Sequence, residues 1–298
     1  MSVEFCGLRL AHPIVNGSGT FDAIAARRAF GETIAAAFPF AAYVSKTITL
    51  EPRAGNPPPR LWETPAGLVN SIGLPNKGLA GYLVEDLPEL GGFTVDPAVC
   101  ADGQPAHVPL ITNVMGSTGE ELAALVEACD AQQQIAAIEL NVSCPNVRTG
   151  LDIGADPVQL QSVLDSLRGR SAKPLIVKLT PNAADVPACA AAAEAGGADA
   201  VSLINTLRAT ALAPGRAGPR PWLGGGTGGL SGPAIRPVAL AQVAAVAARV
   251  KIPVVGMGGV QSALHAQDLL DVGATLVAVG TESFRDPAAG TRIAAGLL

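Results

Sequence analysis

The chain has 298 residues, 49% of them hydrophobic and only 15% charged, enough apolar material to bury a large core. A formal charge of -5 with no basic cluster excludes a phosphate-tracking surface for nucleic acid and favours a small-molecule ligand. No Ser/Gly linker or charged run divides the sequence, so residues 1–298 are expected to form a single domain in which 52–60 and 213–233, rich in Pro and Gly, are long loops.

The first elements are VEF and LRL around Cys6 and Gly7, a short hairpin expected to plug the amino-terminal mouth of the fold. Eight strand-length apolar runs follow: IVNGSG from 14, AAYVSK from 41, PLITNVMG from 109, AAIELNVS from 136, PLIVKLT from 174, AVSLIN from 200, PVVGMG from 253 and LVAVG from 276. Amphipathic patterns at 119–130, 156–169, 184–195, 234–249 and 262–271 separate most of the later runs, which implies parallel strands joined by helical crossovers. Eight such units read as an α/β fold, a (β/α)8 TIM barrel with long active-site loops.

Glu4 and the missing pairing of a basic segment with an apolar one argue against a signal peptide, and the expected address is cytoplasmic. The most apolar helical stretch, 183–195, is interrupted by Asp185, Pro187 and Glu194 and is shorter than the ~20 residues of a membrane span. Cys6, Cys100, Cys129, Cys144 and Cys189 are odd in number and show no CxxC spacing, so no disulfide framework, metal site or iron-sulfur site is expected in this chain.

In a barrel of this kind the strand ends converge on one face. They carry Ser18 and Gly19, Lys46 and Thr47, Asn113, Asn141, Lys178, Asn205 and Thr206, Gly258 and Gly259, Gly280 and Thr281. The glycines of GMGGV and VGTE, after the seventh and eighth strands, offer bare backbone N–H groups for a phosphate. GMGGV does not fit GxGxxG, which favours a mononucleotide such as FMN over NAD. Lys178 stands inside the apolar run PLIVKLT and requires an anionic neighbour, which the pyrimidine edge of a reduced flavin supplies; the alternative is a strand-end lysine reaching water. ELNVSCPN, 139–146, ends a buried strand and then presents Asn141, Ser143, Cys144 and Asn146. Its thiolate is a candidate base among carboxamides that suit a flat, hydrogen-bonding ligand; the plainer alternative is a small buried thiol beside turn residues.

In order and spacing, SKTITLEPRAGNPPPR, NSIGL, ELNVSCPNV, VKLTPN, INT, GGLSGPAIRPVAL, GMGGV and VGTESFRDP resemble the class 1 dihydroorotate dehydrogenases over nearly the whole chain. GSGTFD at 17–22 and LPNKG at 74–78 depart slightly from that pattern. The resemblance implies an FMN enzyme of pyrimidine biosynthesis. On that resemblance Cys144 is expected to take a proton from C5 of dihydroorotate while hydride leaves C6 for FMN and orotate is released. It implies substrate binding by Lys46, Asn70, Ser71, Ile72, Gly73, Leu74, Asn141, Asn146, Asn205 and Thr206. It implies FMN binding by Ser18, Lys46, Thr47, Asn113, Asn141, Lys178, Ile204, Gly232, Gly258, Gly259, Gly280 and Thr281. The wording is most similar to the NAD-dependent class 1B catalytic subunit, which implies a separate electron-transfer subunit carrying FAD and a 2Fe-2S cluster, in a dimer or heterotetramer without nucleic acid or membrane. The alternatives are the fumarate-using class 1A, another FMN-dependent dihydropyrimidine oxidoreductase, and a non-catalytic phosphate-binding barrel.

Overall fold

The computed structural model describes residues 2–142, 153–213, 215 and 220–298. Eight strands form one sheet: β1 (Ile14–Asn16), β2 (Tyr43–Val44), β3 (Leu110–Val114), β4 (Ile135–Asn141), β5 (Leu175–Lys178), β6 (Ala200–Leu203), β7 (Val254–Met257) and β8 (Leu276–Val279). They lie in the order β1-β8-β7-β6-β5-β4-β3-β2, and every hydrogen-bonded pair is parallel. The eight predicted strands and the barrel they imply are therefore present.

The ring closes between β1 and β2 through a side chain. Asn16 Nδ2 donates to Val44 O at 2.8 Å and its Oδ1 accepts from Val44 N at 2.8 Å, while Ala41 N donates to Ile14 O at 2.9 Å. A carboxamide carries a donor and an acceptor side by side, so it can stand in for a peptide group where two short strands do not meet backbone to backbone.

Alternate residues of each strand point inward. Val15, Val44, Ile111, Ala137, Ile176, Ala200, Val255 and Leu276 fill the lower barrel together with Phe5 and Leu10 from the hairpin Val3–Phe5/Leu8–Leu10. The hairpin thus seals the amino-terminal mouth, as its two apolar tripeptides predict. Burying a side chain such as Phe5 contributes about 2–3 kcal/mol, which fixes that end as a stable base rather than a site. The outward residues, among them Ile14, Leu110, Ile138, Val177, Val201 and Val277, pack beneath the helices, which explains why the strands read as nearly unbroken apolar runs.

Gly119–Asp130 coincides with its predicted limits and Arg236–Ala247 starts two residues late without a side-chain cap; the other three crossover helices start one or two residues inside the predicted limits because the polar residues ahead of them act as caps. Asp156 accepts from Val158 N ahead of Pro157–Arg168, Asp185 from Ala188 N ahead of Val186–Ala195, and Ser262 from His265 N ahead of Ala263–Asp271. Two helices, Ala23–Phe30 and Glu32–Ala36, join β1 to β2; short helical turns between Gly78 and Leu90 follow β2. Neither had a clear periodicity.

The reading of 213–233 wholly as loop is corrected. Gly228–Ser231 is a strand, placed in a four-stranded antiparallel sheet between Leu207–Ala209 and Gly67–Asn70, with Leu61–Thr64 at the edge. Its partner Gly67–Asn70 is remote in sequence, and a Gly-Gly-Leu-Ser run has neither the β-branched content nor the alternation that marks a strand. This sheet roofs the carboxy-terminal mouth of the barrel. No helix among the described residues is long and apolar enough to cross a membrane.

Candidate active site

The period of two that buries Ala137 and Ile176 brings Glu139 and Asn141 of β4, Lys178 of β5, Ser202 of β6 and Asn113 of β3 to the upper interior. Between that layer and the antiparallel roof lies a cavity of about 750 Å³. Its wall includes Ser18, Lys46, Thr47, Asn70, Ile72, Gly73, Leu74, Asn141, Lys178, Ile204, Asn205, Thr206, Gly232, Gly258, Gly259, Gly280 and Thr281, so the structure gathers most of the residues picked out in the sequence.

Local sequence explains how several are held. Asn56 N donates to Ile72 O at 3.0 Å and its Nδ2 to Ser71 Oγ at 2.9 Å; Asn76 Nδ2 donates to Leu74 O at 2.9 Å. These two carboxamides clamp the turn in which Gly73 (φ 75°) and Leu74 (φ 56°) both adopt left-handed backbone, an uncommon state for leucine that the surroundings must impose. Asn182, from the VKLTPN run, donates to Thr206 O at 3.1 Å and accepts from Arg208 N at 3.0 Å, fixing the segment that carries Asn205 and Thr206. Thr47 Oγ1 accepts from Asn141 Nδ2 at 3.3 Å.

Two predicted residues are not in the wall. Ser71 is fully buried behind it, accepting from Asn56. Asn113 is fully buried below it, its Nδ2 donating to Glu139 Oε2. Ser71 turns away because it follows Asn70, which faces the cavity, and Asn113 faces inward level with Glu139, two residues below the cavity layer of Asn141. Cys144 and Asn146, with Ser143, lie outside the described residues. The sequence reading passed over Glu139, Ser202, Asn56, Asn76 and Asn182. A charged residue inside the apolar run AAIEL was the available signal for Glu139; the others resemble ordinary turn and strand residues.

At the mouth of β7, Gly258 (φ 133°) and Gly259 (φ 71°) expose bare backbone to the cavity. A Cβ would come within 2.6 Å of Ala239 Cβ at the first and 2.6 Å of Arg236 Cβ at the second, so only glycine fits. Gly280 and Thr281 continue this wall from β8, and Thr281 Oγ1 donates to Ser231 Oγ at 2.8 Å. Lys178, in the same cavity wall, is only 6% exposed and has no hydrogen-bond or ion-pair partner among the described residues. An ammonium so enclosed needs negative charge nearby. Burial pushes the thiols of Cys6 and Cys129 up to about 12 and raises that of Cys100, so these three are protonated at neutral pH; none lines the cavity. The described residues contain no cluster of three or more His, Cys, Asp or Glu fit to hold a metal.

A glycine cradle of bare backbone and a buried lysine in one cavity at the mouth of a barrel fit a class of enzyme built around a phosphorylated cofactor that gains negative charge. The cradle and Lys178 both fit FMN. Comparison with known proteins carries the assignment further, for the model of the dihydroorotate dehydrogenase family matches residues 1–298, and the chain belongs to that family. Membership makes it an oxidoreductase of pyrimidine biosynthesis with FMN as cofactor. Among its relatives is the protein named dihydroorotate dehydrogenase B (NAD(+)), catalytic subunit, from Trichlorobacter lovleyi, 43% identical over 301 aligned residues that cover 100% of this chain and 92% of the relative. Proteins of the same name from Geobacter metallireducens and Desulforudis audaxviator are each 42% identical, covering 99% of this chain and 91% of theirs.

Proposed function

We propose that this chain is the NAD-linked catalytic subunit of a dihydroorotate dehydrogenase, a single-domain cytoplasmic barrel that oxidises dihydroorotate to orotate and passes the electrons to a subunit carrying FAD and a 2Fe-2S cluster. The observation that carries the chemistry is Lys178, a buried cation facing the same cavity as the glycine cradle without a partner among the described residues. The names of the relatives, which specify NAD(+) and a catalytic subunit, support the finer assignment.

When bound, FMN supplies the acceptor for the hydride that leaves C6 of the substrate. The protein's own part is positioning and proton transfer. Lys46, exposed at the cavity wall, suits the substrate carboxylate, and Asn70, Asn141 and Asn205, with Asn146, suit the ring amides because each carboxamide offers a donor and an acceptor. Cys144 removes the C5 proton as a thiolate, so that hydride and proton leave adjacent carbons and a C5–C6 double bond forms. Lys178 stabilises negative charge on the reduced cofactor.

The test is direct. The purified protein should be yellow, and dihydroorotate should bleach it in the absence of oxygen with one orotate formed per flavin. Protein that is colourless, or yellow and indifferent to dihydroorotate, overturns the assignment.

A further inference from the structure

Among the described residues exactly one acid and one base with full charges are buried, Glu139 at 4% and Lys178 at 6% exposure. They lie on neighbouring strands and on the same inward face. Asn141 pairs with Lys178 and Glu139 with Ile176, so Glu139 stands two residues deeper, with Cα atoms roughly 8 Å apart by ordinary strand spacing. No ion pair joins them.

Glu139 is fixed from two sides. Ser202 Oγ donates to its Oε1 at 2.7 Å and Asn113 Nδ2 donates to its Oε2, and both donors are themselves fully buried. Two donors aimed at both oxygens fit the acceptor-only, ionised carboxylate. Beneath lies a small void walled mainly by apolar side chains, including Val15, Ile111 and Val255, so no water-filled space screens the charge from below. A dry carboxylate that is pinned from the sides and diagonal to a lone ammonium is an electrostatic fixture, and its cost is recovered only if the charge above it is present.

We propose that Glu139 is a positioning residue: held by Asn113 and Ser202, it is the fixed counter-charge of Lys178, keeps that ammonium at the cavity floor, and through it sets the reduction potential of the bound flavin. The inference rests on the proposed function for its flavin readout only. An anion beneath the lysine offsets part of its field, so the flavin accepts electrons less readily than it would over Lys178 alone. This keeps the potential within reach of both donor and acceptor.

Glu139→Gln removes the charge and keeps the shape. Asn113 Oδ1 has no partner among the described residues, so a flipped Asn113 can accept from the new amide without rebuilding the layer. The variant should shift the flavin toward the reduced form about tenfold at a fixed redox poise, ~30 mV for a two-electron couple, and Lys178→Met should shift it the other way. A second measurement, read from folding rather than from the flavin potential, is a urea-unfolding cycle on the protein as purified. Each single variant strands one buried charge, so Glu139→Gln/Lys178→Met together should destabilise less than the sum of the two. Folded, FMN-loaded Glu139→Gln with the wild-type potential overturns the proposal. Should that variant fail to fold, the decision passes to the double variant: recovery of folding supports the pair, and failure there, or additive losses, overturns it. A wild type without flavin would sink the functional reading alone, since the urea cycle still reports on the charge pair.

Discussion

Cys144 is the residue on which the proposed chemistry turns, and a substitution there separates binding from turnover. Cys144→Ala should retain FMN and fold, because only a thiol is lost, yet its anaerobic reduction by dihydroorotate should fall by ~10² to 10⁴, the usual contribution of general base catalysis. In the wild type the same step should quicken as pH rises through the range where thiols ionise, about 8.5 for an unperturbed one, since the thiolate is the active form. Stopped-flow flavin bleaching reads both, and near-normal reduction of the variant would remove Cys144 from the mechanism. At this scale the sequence was informative where residues stand at strand ends: Lys46, Thr47, Asn141, Lys178, Asn205 and the glycines 258 and 259 all reach the cavity wall. It was uninformative about depth. Asn113 looks like another strand-end carboxamide, but its place one layer down is set by the shear of β3 against β4, where Asn113 faces Glu139, and a two-residue step, as from Glu139 to Asn141, separates floor from cavity.

The barrel strands and later crossovers were legible because each buried strand is a short apolar run and four of the five predicted crossover helices begin with a capping Asp, Ser or Thr, Arg236–Ala247 being the exception. The closure of the ring was not. Asn16 stands in the strand run IVNGSG with nothing to mark a special role, whereas its side chain replaces a missing rung between β1 and β2. Asn16→Ala should leave Val44 N–H and C=O buried without partners and cost roughly 2–4 kcal/mol, measurable as a lower urea midpoint with unchanged slope. A loss below half a kcal/mol would show that the backbone closes the ring unaided. A second element-level prediction concerns the link from hairpin to barrel. His12 is 2% exposed, its Nδ1 accepts from Ile14 N at 3.2 Å, and burial lowers its pKa to about 4. The unfolded value is about 6.5, so the neutral form is favoured by folding. Its contribution is complete above pH ~6.5 and is lost as pH falls through the folded value, roughly 3 kcal/mol in all. Unfolding free energies at pH 7.5 and 4.5 should therefore converge in His12→Asn, which keeps an acceptor for Ile14 N, by roughly 2–3 kcal/mol relative to wild type. Parallel pH profiles would assign the acid sensitivity elsewhere.

For the molecule as a whole, the roof sheet shows what long-range pairing adds: Gly67–Asn70 and Gly228–Ser231 come from opposite halves of the chain, and only their meeting encloses the cavity over the barrel mouth. A cavity enclosed this way serves one half-reaction well. The other half must return FMN to its oxidised state; the GxGxxG match at Gly224–Gly229 runs into the roof strand Gly228–Ser231 rather than opening a helix, and the cysteines lack the spacing for a cluster. The isolated chain should accordingly reduce dyes or oxygen with dihydroorotate far faster than it reduces NAD. Supplying the FAD and 2Fe-2S subunit should raise NAD reduction by orders of magnitude while leaving the rate of flavin bleaching by dihydroorotate unchanged, because that step uses residues of this chain alone. The two rates, measured separately, distinguish the subclasses. Rapid turnover of the isolated chain with fumarate, indifferent to the added subunit, would reassign the electron acceptor and leave the chemistry at the barrel mouth as it stands.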